Sequence, residues 1–306
     1  MAATAATRSD VLDLALDGGD PFAALQQAEA FLLRRRSGKP EMDAAVTQAL
    51  QEATGSPGPS PCAARTGAAI AAAVEAHGAG FPPGEEPAYH GRHHQAEATL
   101  AMGWLTGAAR RLGLLTPDEA ALGVVAMAGH DLLHDGRVYA TRGVLEQRSA
   151  EAVAALAAAE GLDAARIGTL RRIILATTWP WENDEATDLL CHLAREADLF
   201  GSSLPTLGPL LSQKLAHEFA VCGLVGAEGV ASHAARVGLM RMMGPATVPA
   251  QALGLDALRT VQLAAYEGAA RRLGLKDTSA EAGAVALDAM DPADAEAMLA
   301  WAGTAK

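Results

Sequence analysis

The segment Ala120–Ala128 (Ala-Ala-Leu-Gly-Val-Val-Ala-Met-Ala) carries no charged or hydrogen-bonding side chain, and it runs straight into Gly129-His130-Asp131-Leu132-Leu133-His134-Asp135-Gly136. A helix that is apolar on every side has no face to offer water, so the rest of the chain must surround it. Placing ionisable side chains at the end of such a helix costs on the order of several kcal/mol each unless they are paired. Two imidazoles and two carboxylates within this stretch suit a divalent cation. If the helix continues, His130 and His134 share a face, with Asp131 a third of a turn away.

The 306 residues can bury a large core, as one domain or two. Half of them are hydrophobic and only 4% are aromatic. The abundant Ala, Leu, Glu and Arg favour helix, and alternating β-branched runs are absent, so the expected class is all-α. A net charge of −12 and a pI near 5.2 oppose bulk attraction to nucleic acid or an anionic membrane. The acidic balance leaves room for a small phosphate ligand in a metal-lined cleft. The apolar run is far short of the ~20 residues that cross a bilayer. Residues Met1–Arg8 lack the pattern of a secretory leader, and Cys62, Cys191 and Cys222 form no Cys-x-x-Cys pair. The expected setting is the cytoplasm.

Along the chain, Asp20-Pro21 reads as an N-cap and first helical residue, opening a helix to Arg36. Arg34-Arg35-Arg36 reads as a basic helix end offsetting the macrodipole, with a phosphate patch as the alternative. A helix over 41–53 follows, then the Gly55–Pro61 linker with its three prolines. Residues 1–62 are therefore expected to form an accessory segment, 63–275 the main domain and 276–306 a helical tail. Helices are expected over 68–76, from about 89 to Leu112, from the Thr116-Pro-Asp-Glu119 capping box to His130, and over 145–160 and 163–178. Others follow over 187–200, 207–225 and 257–273, and the structure around 229–243 is left open. In the tail, Thr278-x-x-Glu281 and Asp291-Pro292 read as helix starts. The octapeptide Gly107–Leu114 recurs letter for letter at Gly268–Leu275 and reads as a repeated helix C-terminus, not a duplication.

Chemistry concentrates in three places. Tyr89-His90-Gly91-Arg92-His93-His94 would put His90 and His94 on one helical face, with His93 pointing elsewhere. His130-Asp131-x-x-His134 is the second place. The third is Asp198, a carboxylate in the mostly apolar stretch around Glu196-Ala197-Asp198-Leu199.

The order His94…His130-Asp131…Asp198 resembles the signature of the HD-domain metal-dependent phosphohydrolases. The wider pattern resembles the catalytic domain of class I 3′,5′-cyclic-nucleotide phosphodiesterases. Tyr89-His90-x-x-x-His94, His130-Asp131-x-x-His134-x-Gly136, Val144-Leu145-Glu146, Ile174-Leu175-Ala176-Thr177 and Ala197-Asp198-Leu199 carry the likeness, covering roughly residues 89–205. It implies a helical bundle with a binuclear metal site. His94, His130, Asp131 and Asp198 would hold the tighter ion, typically zinc, with iron or manganese as alternatives. Asp131 would bridge to a weaker Mg²⁺ or Mn²⁺ completed mainly by water. His134 and Glu146 would orient that water shell, and His90 would be the general acid for the leaving oxygen. Two cations sharing a water lower its pKa and supply hydroxide in line with phosphorus. The implied partner is a small phosphoester, with a cyclic nucleotide foremost; homodimerisation is left open.

The chain departs from that family at Gly91 (asparagine there), at Arg148-Ser149 (histidines) and at Thr178 (aspartate). Neither Gln213 nor Gln262 stands where a purine-gripping glutamine is expected. Arg92, Arg137, Arg142 and Arg148 lie close to the proposed ligands, as surface residues, carboxylate partners or phosphate contacts. The Trp179–Asp184 loop offers a stacking surface, core packing or a lid. Two rival functions are an HD-fold diiron oxygenase, which would use extra histidines between Asp131 and Asp198, and an inactive binding module.

Overall fold

The computed structural model describes residues 11–56, 58–181 and 188–304. Among them there are helices and turns but no strand, as the composition requires. A π-helical turn (Asp13–Asp17) leads into α1 (Pro21–Arg36), α2 (Met42–Thr54), α3 (Pro61–Ala79), α4 (Arg92–Arg111) and α5 (Pro117–Ala128). Then come α6 (Val144–Ala159), α7 (Ala164–Ala176), α8 (Leu189–Asp198), the single turn α9 (Phe200–Ser203) and α10 (Leu207–Val221). A 3₁₀ turn (Ala227–Ala231) precedes α11 (His233–Met242), α12 (Val248–Ala252), α13 (Leu255–Arg272), α14 (Ala280–Asp288) and α15 (Pro292–Thr304).

Local chemistry sets most boundaries. Asp20 Oδ1 accepts the Ala23 N–H at 3.0 Å, with Pro21 in the first turn. Thr116 and Glu119 close both arms of a capping box. At the two copies of the repeated octapeptide, Gly113 and Gly274 take φ of 74° and 70°. There the Leu114 N–H reaches Ala109 O (2.8 Å) and the Leu275 N–H reaches Ala270 O (3.1 Å). The repeat is thus one helix-stop solution used twice.

Helix α5 is buried throughout Ala120–Ala128. Helix α4 is just as enclosed, from His94 to Ala109. Its glycines explain how. A Cβ on Gly103 would sit 2.7 Å from Ala49 Cα, and one on Gly107 would sit 2.7 Å from Glu52 O, so α2 lies directly against the α4 backbone. Trp104 fills the other side between Phe31 and Phe200, at ring distances of 6.2 and 5.6 Å. Glu97, buried within α4, is met by Arg36 through two bonds of 2.6 Å. Arg35 donates to the carbonyls of Pro40 and Glu41. These two arginines of the basic run therefore engage protein groups and form no phosphate patch.

The core continues across residue 62: Val11, Leu32, Met42 and Ala49 share one cluster with Ile70, Trp104 and Val125. A smaller cluster joins Val237 and Met240 of α11, Tyr266 and Ala269 of α13, and Ala284 and Leu287 of α14. The packing thus also bridges residue 275.

Four local expectations are corrected. Helix α5 stops at Ala128, and His130 to His134 follow as tight turns, with Leu132 N to Gly129 O at 3.2 Å and His134 N to Asp131 O at 3.0 Å. His130 and His134 therefore do not share a helical face. His90 precedes α4, whose N-cap is Gly91. Helix α3 starts at Pro61, capped by Ser60, and not at 68. Ser279, not Thr278, caps α14. The expected loop residues 182–184, the helix start at 187 and the segment 1–8 lie outside the described residues.

Candidate metal centre

Three elements converge beyond the end of α5. The first turn of α4 supplies His94, the turn after α5 supplies His130 and Asp131, and the last residue of α8 supplies Asp198. His94 Nε2 lies 3.0 Å from Asp198 Oδ1 and 3.6 Å from Asp131 Oδ2. His130 Nε2 lies 3.3 Å from Asp131 Oδ2 and 3.5 Å from Asp198 Oδ1. One ligand atom each from His94, His130 and Asp198 lie within 4.8 Å of one another, close enough to share one ion, and Asp131 Oδ2 stands against both imidazoles beside them.

His130 carries the sharpest indication. Its Nδ1–H donates to Met127 O at 2.8 Å, so in the neutral ring it is Nε2 that carries the lone pair. That Nε2 is buried and has no hydrogen-bond partner. A backbone carbonyl holding one ring nitrogen while the other faces acidic oxygens is how metal-ligating histidines are oriented. Burial by itself would lower the His130 pKa; Asp131 and Asp198 outweigh it and raise it. Burial would raise Asp198, but the imidazoles of His130 and His94 against its carboxylate bring it down to about 2. Donors of this kind, buried together at the end of an apolar helix, fit a bound divalent ion.

A second constellation stands beside the first: His90, His134 and Glu218, whose ligand atoms lie within 4.8 Å of one another. The His90 and His134 rings stack at 3.9 Å and 18°. Glu218 Oε2 accepts the backbone N–H groups of Tyr89 (2.9 Å) and His90 (3.1 Å), and Oε1 accepts from His90 Nδ1 at 2.5 Å. Burial would push His90 down, yet Glu218 prevails and raises its pKa. The Gly136 N–H donates to His134 Nδ1 at 3.1 Å, so the neutral ring carries its proton on Nε2. Burial and the neighbouring His90 hold His134 down to about 4.

Glu218 was not legible as a site residue in the sequence. Its only local signal is that on α10 it follows Leu207 and Leu211 at spacings of 11 and 7, a carboxylate on the apolar face. It holds the His90 ring through Nδ1, a task no side chain at Gly91 performs. Gly91 has no room for one, because a Cβ there would lie 2.6 Å from Pro87 O.

Both constellations open into a cavity of about 690 Å³. Glu146, in the first turn of α6, lines the wall with Asp131 and Asp198, and burial followed by those two charges raises its pKa. At the departure positions, Ser149 Oγ accepts the Leu133 N–H at 3.2 Å, pinning the turn after Asp131. Thr178 O accepts from Arg142, which also holds Pro180 O. Arg92 is engaged by Glu86 and Glu75, and Arg148 stacks on Tyr139 at 5.0 Å. Arg137 lines the cavity without such partners among the described residues. Trp179 is 45% exposed at its rim, its ring 5.2 Å from Trp181. Neither glutamine reaches the cavity: Gln213 is exposed, and Gln262 bonds Ser203 O and Arg236. His192 is exposed as well, so it supplies no further ligand to the cluster. Among the described residues no helix is long and apolar enough to cross a membrane. No family model matches the sequence, and no curated protein matches it.

Proposed function

We propose that the chain is a metal-dependent phosphoester hydrolase acting on 3′,5′-cyclic nucleotides or a related phosphodiester. The observation that carries this reading is the unpartnered, buried Nε2 of His130 facing Asp131 and Asp198, two carboxylates that line a cavity also holding an imidazole–carboxylate pair. The chemistry of the donors favours zinc, iron or manganese in this site, and Asp131 would also help to hold a second ion, Mg²⁺ or Mn²⁺. When bound, such ions withdraw charge from phosphoryl oxygens and make water a stronger acid.

The protein's own groups supply the rest. His90 is the proton donor: Glu218 holds its Nδ1–H and keeps the ring charged, leaving Nε2–H for the departing oxygen. As water adds to phosphorus and the P–O bond to the leaving group breaks, that proton neutralises the alkoxide. Glu146 and the Nε2–H of His134 orient water along the acidic wall. Arg137 reaches for the phosphoryl oxygens, which guanidinium groups fit well. Against the oxygenase reading stands the exposure of His192, which leaves His134 and no further histidine between Asp131 and Asp198.

The test is a panel of cyclic nucleotides, dinucleotides and phosphomonoesters, with wild type and His94→Ala, alongside metal analysis. Turnover that disappears with the metal in His94→Ala is expected. Iron content with no hydrolysis of any ester would overturn the proposal.

A further inference from the structure

The part of the cavity wall built by α10 and α11 has a different character from the acidic part. On α11, Ala235, Gly238, Leu239 and Met242 line it at the spacing of one helical face. On α10, Leu215 and Phe219 do the same. Ser212 also lines this wall, and two other polar side chains beside the stripe are already committed. Arg236 donates to Ser202 O, Leu204 O and Gln262, and the Ser202 hydroxyl pairs with Tyr89 Oη at 3.2 Å. No asparagine or glutamine is among the described lining residues. A nucleobase edge would bring donors and acceptors into a wall that leaves most of them unanswered, which is costly when water is excluded. An apolar group meets no such penalty. Gly238 also leaves room, since a Cβ built there meets nothing within 4 Å.

We propose that the groove between α10 and α11 seats an apolar alkyl or aryl substituent of the substrate, so that the preferred phosphodiester is one with an apolar alcohol and not a nucleoside. This rests on the hydrolase reading for its phosphate end, but the groove itself can be tested without any phosphate. The released alcohol is the probe. NMR titration of the metal-free chain with ethanol, n-hexanol and adenosine reads the groove directly.

Each methylene buried strengthens binding roughly fourfold, so hexanol, with four more methylenes, should bind roughly 250-fold more tightly than ethanol, and more tightly than adenosine. Gly238→Leu fills the groove and should weaken hexanol at least tenfold; the substitution replaces glycine by a better helix former facing open space. In the metal-loaded enzyme, kcat/KM for hexyl 4-nitrophenyl phosphate relative to the methyl ester should fall by a similar factor in the variant. Affinity that ignores chain length, adenosine binding more tightly than hexanol, or a Gly238→Leu variant with unchanged hexanol affinity would each overturn the groove assignment. Absence of phosphoester turnover would instead remove the hydrolase reading and leave the alcohol series to decide the groove.

Discussion

Replacing Glu218 separates its structural role from its effect on His90. In Glu218→Ala the N–H groups of Tyr89 and His90 and the His90 Nδ1–H lose their acceptor. Tyr89 is 6% exposed, so water does not readily replace it. An unanswered buried donor costs about 1–3 kcal/mol, and His90 retains some access to solvent, so the expected loss is about 3–5 kcal/mol. Glu218→Gln keeps an oxygen for the two backbone donors and removes only the charge, so about 1–2 kcal/mol is expected. The pH dependence has a definite sign. His90 is raised above 6.5, so its contribution is complete below that value and is lost as pH rises through its folded pKa. Glu218 is lowered from 4.5, against the effect of its burial, chiefly by the hydrogen bond from His90. Its contribution is present above 4.5 and is lost as pH falls through the folded value. The stability gap between wild type and Glu218→Gln should therefore be widest between 4.5 and 6.5 and shrink on both sides. Urea unfolding of the metal-free chain across that range measures the gap, and NMR titration of the His90 ring gives its pKa directly. A loss below ~1 kcal/mol in Glu218→Ala, or an unchanged His90 titration in Glu218→Gln, would refute the pairing.

Other perturbations have equally specific outcomes. Arg36→Met or Glu97→Gln alone should cost about 3–5 kcal/mol in urea unfolding, because either leaves its partner buried and unpaired; Arg36→Met with Glu97→Met should cost less than either single change. Gly103→Ala should destabilise by about 1–3 kcal/mol through overpacking against Ala49, outweighing the ~1 kcal/mol that alanine gains in helix propensity; a net gain in stability would contradict the close α2–α4 contact. Thr116→Ala should cost about 1 kcal/mol, as loss of a capping box does, and its thermal unfolding tests it.

The helices were legible where local chemistry decides them: Asp20-Pro21, Thr116–Glu119 and the two Arg-Leu-Gly-Leu stops announce themselves in a few adjacent residues. The burial of α5 was legible because its composition leaves no alternative. The burial of α4 was not, because His94, Glu97 and Arg110 look like residues of a wet face until Arg36 arrives from 61 residues away. Gly103 and Gly107 declare a close approach only once α2 is in place. At the site, His94, His130, Asp131 and Asp198 were readable from type and order. What the sequence could not convey is that the chain leaves the helix at Gly129, turning His134 away from His130 and toward His90. Glu218 escaped for the opposite reason: it lies in Gln213-Lys-Leu-Ala-His-Glu218, among residues typical of a solvated helix, and its meaning comes from Tyr89 and His90 more than a hundred positions earlier.

The most direct measurement is anomalous diffraction from crystals grown after exchange with zinc. A peak about 2.0–2.2 Å from His94 Nε2, His130 Nε2 and carboxylate oxygens of Asp131 and Asp198 is expected, absent in Asp198→Ala. Full zinc content with the peak elsewhere, or no binding by the wild-type chain at micromolar zinc, would contradict a cation held by these four side chains.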